Sequence, residues 1–149
     1  MDKKYMEEAV LLAKKAAQAG DVPVGAIVVR DGEVIGRGYN LREVKGDPTA
    51  HAEIVAIREA ASRLGGWRLD DCELYVTLEP CPMCAGAIIN SRIKRVIFGA
   101  FDKKAGSASQ DSVIDLFSLG YNHKPEVFCG ICEKECREIL TNFFEEKRK

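Results

Sequence analysis

The stretch "ELYVTLEPCPMCAGAIINSRIKRVIFGA" (Glu73–Ala100) changes character twice within 28 residues. "ELYVT" (Glu73–Thr77) is short, apolar and rich in strand formers, as a buried strand is. The segment from Cys81 to about Asn90 reads as a helix, and "RVIFGA" (Arg95–Ala100) is a second strand. Strands alternating with helices indicate an α/β layered domain.

Outward from that unit the alternation continues. "VPVGAIVVR" and "EVIGRGYN" flank Asp31-Gly32, and Asp-Gly between two β-rich runs signals a tight hairpin. An antiparallel hairpin makes the sheet mixed rather than all parallel. Ahead of it, Met6, Val10, Ala13 and Ala17 recur at helical spacing and predict an amphipathic helix ending near Gly20. From about Ala50, the residues Ile54, Ile57, Ala61 and Leu64 outline a further helix that stops at Gly65-Gly66. Downstream, a polar loop leads to an expected short helix around Asp111–Phe117, a last strand in "EVF", and a C-terminal helix. No repeat or linker divides the chain, so 1–149 is expected to be one domain.

The chain has 149 residues, 46% hydrophobic and 30% charged, the balance of an ordinary soluble domain. No apolar run approaches the roughly 18 residues that span a bilayer. The opening "MDKKYMEEAV" lacks the apolar region of a signal peptide, and a cytoplasmic location without membrane attachment is expected. In a reducing compartment six cysteines are no disulfide framework, and clustered ones point to metal or catalysis. The formal net charge of −1 excludes a globally basic nucleic-acid binder. Any such partner must be recognised locally.

The chemistry concentrates in four residues. His51 and Glu53 stand at the start of one predicted helix, and Cys81 and Cys84 open another, directly after Pro80. Cysteines at i and i+3 share a helical face and can grip one ion. A helix N-terminus favours the thiolate that binds zinc. One imidazole and two thiolates leave the fourth tetrahedral position for water, as a catalytic zinc requires. Glu53 is placed to move protons without ligating the metal. A thioredoxin-like redox pair would also read C-x-x-C, but it leaves His51 and Glu53 without a task.

"CGIC" (Cys129–Cys132) has the same spacing and the opposite reading. Cys132, Cys136, Ile139, Leu140 and Phe143 recur as the apolar stripe of a helix, where cysteine behaves as a small hydrophobe. A second metal site at Cys129, Cys132 and Cys136 has no nearby histidine to complete it. Cys72, entering a strand, reads as packing.

The H-x-E and P-C-x-x-C pair resembles the zinc-dependent cytidine/deoxycytidylate deaminase superfamily, whose signature this is. Within it the chain is most similar to the bacterial tRNA-specific adenosine deaminases. "DVPVGAIVV", "GYN", "DPTAHAEI", "YVTLEPCPMCAGAI", "SRIKRVIFGA" and "DKKAGS" occur in that family's order, and "NFFEEKRK" is similar to its last helix. The histidine ligand speaks against free-cytidine deaminases, and the compact "PCPMC" against riboflavin-pathway ones. Guanine deaminases share much of "EPCPMC", but "CAGAI" and "GAFDKKAGS" favour the tRNA enzymes.

The resemblance implies a three-layer α/β/α domain around a mixed sheet of about five strands. It implies one catalytic zinc held by His51, Cys81 and Cys84, with Glu53 as proton shuttle. The reaction implied is attack of zinc-bound hydroxide on C6 of a flipped adenine, giving inosine at the wobble position of a tRNA anticodon, usually an arginine tRNA. Asn40 would hydrogen-bond the base, although it reads equally as a turn residue. Pro48, Thr49 and Ala52 would shape the pocket. Asp102 and Lys104 lie in the segment that matches the family's substrate-facing loop, where Asp102 either contacts a sugar hydroxyl or starts a turn. A homodimer is implied too, with "MCAGAIINSRI" as its candidate helix, a helix that reads equally as core. The residues alone say less about RNA: Arg92, Lys94, Arg95, Lys103 and Lys104, and the tail Lys147, Arg148 and Lys149, either meet phosphates or solvate a surface. The alternatives are a deaminase of a free base or nucleotide, such as guanine or dCMP, and a zinc-stabilised RNA-binding module without catalysis.

Overall fold

Asp31 (φ 51°) and Gly32 (φ 76°) both take the left-handed backbone that a two-residue hairpin turn needs. In the computed structural model, which describes residues 1–148, they join β1 (Gly25–Arg30) to β2 (Glu33–Tyr39) as an antiparallel pair. The pairing steps from Val28 opposite Gly36 to Val29 opposite Val34, which leaves Ile35 as the extra residue of a bulge in β2. On its other edge β1 runs antiparallel to β3 (Cys72–Leu78). β3 then pairs in parallel with β4 (Arg95–Ala100), and β4 with β5 (Glu126–Cys129). The order β2-β1-β3-β4-β5 makes a five-stranded sheet, mixed as the hairpin implies and of the size that the resemblance implies.

Side chains alternate across this sheet and make two cores. On one face Ala26, Val28, Leu74, Val76, Val96 and Phe98 meet two helices, α3 (Ala52–Leu64) and α4 (Pro82–Ser91). On the other, Ile27, Val29, Tyr75 and Ile97 meet α1 (Lys3–Gln18) and α5 (Glu133–Arg148). Residues of opposite parity in each central strand therefore serve opposite layers, and the result is the three-layer α/β/α arrangement. Each fully buried aliphatic side chain contributes about 1.5–3 kcal/mol to holding the layers together.

The approach of α3 to the sheet depends on small residues. Its fully buried face is Ala52, Ala56 and Ala60, not the predicted stripe of Ile54, Ile57, Ala61 and Leu64, which is only half-buried. Opposite lie Gly36 and Gly38 of β2, where an added Cβ would stand 2.3 Å from the Ala56 carbonyl and 2.4 Å from that of Ala52. Glycine and alanine let the two backbones touch. That contact fixes the N-terminus of α3, where His51 and Glu53 sit.

Three expectations change. Residues 111–115 are not helical, and only a 3₁₀ turn at Leu116–Ser118 forms. The backbone and side-chain groups there bond elsewhere: Ser112 N–H donates to Ser109 C=O, its hydroxyl to the Glu79 carboxylate, and Ala108 bridges Asp115. An unexpected four-residue helix, α2 (Arg42–Lys45), follows β2. Cys132 precedes α5 with φ 55°, so only Cys136 of the two is buried in that helix's stripe. Lys149 lies outside the described residues.

Candidate functional site

β3 leads through Glu79-Pro80 to Cys81, the N-cap of α4, and Pro82 occupies the first helical turn where its missing N–H costs nothing. His51 is likewise the N-cap of α3. Neither makes a side-chain cap bond to its helix, and the two side chains face each other. The N-termini of α3 and α4 thus converge, and their partial positive charge favours anionic sulfur.

His51 Nδ1 stands 3.7 Å from Cys81 Sγ and 3.6 Å from Cys84 Sγ. All three candidate ligand atoms lie within 4.8 Å of one another. Zinc at its ordinary bond lengths to nitrogen and sulfur gives a tetrahedral N···S edge of about 3.6 Å. The donor set therefore fits zinc in both chemistry and spacing. Cys84 is fully buried, while His51 and Cys81 are half-buried and face a cavity.

The protons of this cluster are displaced from their usual places. Burial above all pushes the Glu53 carboxyl up to about 7. The Cys81 thiol is drawn down to about 4, chiefly by its hydrogen bond with Cys84, which pushes the Cys84 thiol upward in turn. His51 is raised, first through its hydrogen bond with Cys81. A buried acid whose proton is held near neutrality beside two helix N-termini is suited to proton transfer.

The cavity measures ≈ 200 Å³, smaller than the roughly 300–1,000 Å³ of drug-sized sites and suited to a single base. Asn40, Ala52, Glu53 and Asp102 line it, with Val22, Val24 and Leu78 as apolar wall. Asn40 is buried, and its Oδ1 accepts the Arg42 N–H at 3.1 Å. Asp102 does start a turn: its Oδ1 accepts the N–H groups of Lys104 and Ala105. Pro48, Thr49 and Lys104 are exposed and do not line the cavity. Thr49 instead bonds Asp47 through both its N–H and its hydroxyl.

Three lining or supporting residues carried no prediction. Glu79 is buried at 2% exposure, and its carboxylate accepts Asp102 N–H at 3.1 Å, Ala108 N–H at 2.9 Å and the Ser112 hydroxyl. It clamps the segment 102–112 beside the cavity. Asp21, fully buried, accepts the N–H groups of Glu43 and Val44 and so holds α2. Arg42, at the start of α2, lines the cavity. An isolated acid or arginine has no periodicity, so nothing local in the sequence marks these three.

The basic stretch divides. Arg92 and Arg95 stand at the opposite end of β4 from Lys103 and Lys104, about 20 Å away along a six-residue strand. Arg95 pairs with Glu73 at 3.2 Å and Glu126 at 3.4 Å, and Arg92 caps the Ile89 carbonyl at 2.6 Å. Cys129, Cys132 and Cys136 form no metal-ligand cluster among the described residues.

Residues 1–100 match the family model of the cytidine and deoxycytidylate deaminase zinc-binding region. A tRNA-specific adenosine deaminase of Bacillus subtilis is 50% identical over 149 residues, covering 99% of this chain and 91% of the relative. One from Haemophilus influenzae is 48% identical, covering 99% and 86%. A solved structure from studies of A-to-I editing by tRNA:A34 deaminases superimposes with TM-score 0.88 at 44% identity, covering 93% of this chain and all of the other. With a family model over two thirds of its length and near-full-length relatives at about half identity, the chain belongs to the cytidine and deoxycytidylate deaminase family, among the tRNA-specific adenosine deaminases.

Proposed function

We propose that the protein is a zinc hydrolase that converts adenosine to inosine at the wobble position of a tRNA anticodon, with an arginine tRNA as the expected substrate. The observation that carries the reading is the buried Glu53 carboxyl beside the His51, Cys81 and Cys84 ligand cluster, at the floor of a cavity that suits one base.

His51 Nδ1 and the sulfurs of Cys81 and Cys84 would hold the metal. When bound, zinc supplies Lewis acidity, the property that turns water into a nucleophile at neutral pH. Glu53 takes the proton that the attacking water gives up and delivers it to the purine ring as C6 becomes tetrahedral. It then takes the proton of the new C6 hydroxyl and passes it to the 6-amino group; the C6–N bond breaks, ammonia leaves and C6 keeps the oxygen as a carbonyl, so water enters and ammonia departs. Asn40 has its carbonyl oxygen engaged by Arg42 N–H, and its NH₂ group would donate to a ring nitrogen of the base. Ala52 and the valine wall flank the base, and Asp102 stands at the sugar side. Pro48, Thr49 and Lys104, outside the cavity, would meet the rest of the anticodon loop.

The same reading takes the enzyme to act in the cytoplasm, and no helix of the described residues is long and apolar enough to cross a membrane. It also takes the enzyme as a homodimer: α4 leaves Met83 38% exposed, and sedimentation at twice the chain mass tests that. The activity is tested by incubating the zinc-loaded protein with a wobble-adenosine anticodon stem-loop, free adenosine, guanine and dCMP, and measuring ammonia and inosine. Inosine in the stem-loop is expected. Turnover of a free compound with an untouched stem-loop would replace this reading with a free-base or nucleotide deaminase.

A further inference from the structure

Helix α2 contributes no buried residue of its own, yet the chain devotes a fully buried carboxylate to it. Asp21 accepts Glu43 N–H at 2.9 Å and Val44 N–H at 3.1 Å, and Asn40 Oδ1 accepts Arg42 N–H at 3.1 Å. Three backbone groups in a row are thereby held in place by side chains of the cavity wall and its support. Burying a carboxylate has a desolvation cost that packing of α2 does not offset. What the anchoring does achieve is to hold Arg42 at the cavity.

Arg42 is the sole lysine or arginine among the residues that line the cavity, where Glu53, Glu79 and Asp102 are acidic. Its side chain is 44% exposed, and its one ion pair among the described residues is a 3.9 Å contact with the neighbouring Glu43, whose side chain is 68% exposed. A loose surface pair of that kind exchanges partners at little cost. A planar fork of donors matches a phosphate oxygen pair well. A base arriving alone brings no anion to this rim, whereas a base extruded from a strand brings its flanking phosphates.

We infer that Arg42 binds a phosphodiester next to the extruded nucleotide, so that the rim selects a base carried in a strand over a free base. The inference rests on the nucleobase reading above and adds to it a residue that recognises the strand. Lys45, on the same helix, is exposed and does not line the cavity, which makes it the matched control for a general loss of charge.

The test measures binding of a fluorescent wobble-adenosine anticodon stem-loop across a salt series, in a Glu53→Ala parent so that bound RNA is not turned over. Adding Arg42→Gln weakens binding about tenfold at low salt, and the slope of log Kd against log salt falls by about 0.7, the value of one single-strand phosphate contact. Arg42→Lys restores most of the slope, and Lys45→Gln leaves it unchanged. A stem-loop whose phosphodiesters flanking the adenosine are neutral methylphosphonates loses affinity for the parent but not further for Arg42→Gln. Equal losses in Arg42→Gln and Lys45→Gln, or an unchanged slope in Arg42→Gln, overturn the inference while leaving the deaminase reading intact. A parent that leaves the stem-loop unbound overturns both.

Discussion

Glu53 is 4% exposed, one residue beyond the start of α3 and two from a metal-ligand candidate, with its carboxyl pushed up to about 7 by burial first of all. Removing it takes away the proton carrier while leaving His51, Cys81 and Cys84 in place. Glu53→Ala is therefore expected to keep its zinc, measured by metal analysis, and to lose at least about 100-fold in turnover of the stem-loop. Unchanged turnover would remove the shuttle role. Glu79 makes a different residue-scale prediction. Replacing it by glutamine turns one acceptor oxygen into a donor facing N–H groups, so at least one buried donor among Asp102, Ala108 and Ser112 goes unmet. Glu79→Gln should cost about 1–3 kcal/mol in urea unfolding and open the segment 102–112 to limited proteolysis. These two acids differ in how far they are legible in sequence. Glu53 stands in H-x-E, a spacing with chemical meaning, whereas the partners of Glu79 lie 23 to 33 positions downstream.

At the scale of elements, the site is assembled by two helix N-termini and by the closeness of α3 to β2. Gly38→Ala would drive a methyl group to 2.4 Å from the Ala52 carbonyl, and α3 must retreat to admit it. The expected loss is about 1–3 kcal/mol of stability, together with reduced zinc affinity, because His51 moves with the helix. Gly66→Ala, whose Cβ would meet nothing within 4 Å, should change stability by less than about 0.5 kcal/mol. Equal effects of the two would refute the close-approach account. The predicted stripe on α3 misses this contact for a physical reason. Hydropathy counts isoleucine and leucine as the inward face, but helix and strand backbones touch through alanine and glycine.

For the whole molecule, the candidate ligand cluster joins two helices across the end of the central strands, so zinc held there would tie folding to metal. Metal loading requires deprotonated ligands, and here the Cys84 thiol and the His51 imidazole both hold their protons more tightly than usual while Cys81 gives its proton up early. Zinc must displace the protons held by Cys84 and His51. Loading the metal-free protein should release protons in an unbuffered titration, and apparent zinc affinity should fall as pH is lowered. The same metal, bound to the folded state and not to the unfolded one, should raise the thermal midpoint, and a chelator should lower it reversibly. Affinity independent of pH would show that the three side chains are not the ligands.

The sequence by itself determined the alternation of strands and helices, the hairpin at Asp31-Gly32, and the H-x-E and P-C-x-x-C groups with their places at helix starts. Each of these is a local pattern, set by period, turn chemistry or spacing within a few residues. Only the tertiary structure decided that His51 Nδ1 reaches both sulfurs and that α3 packs through alanines on glycines. It alone revealed that Asp21 and Glu79 hold the two segments beside the cavity, and that Arg42 stands at its rim while Arg92 and Arg95 do not. These depend on residues 14 to 33 positions apart being brought within hydrogen-bond or van der Waals distance, and on the length of β4 keeping two charge clusters apart. No periodicity in the chain encodes such meetings; they follow from how the layers close on the sheet.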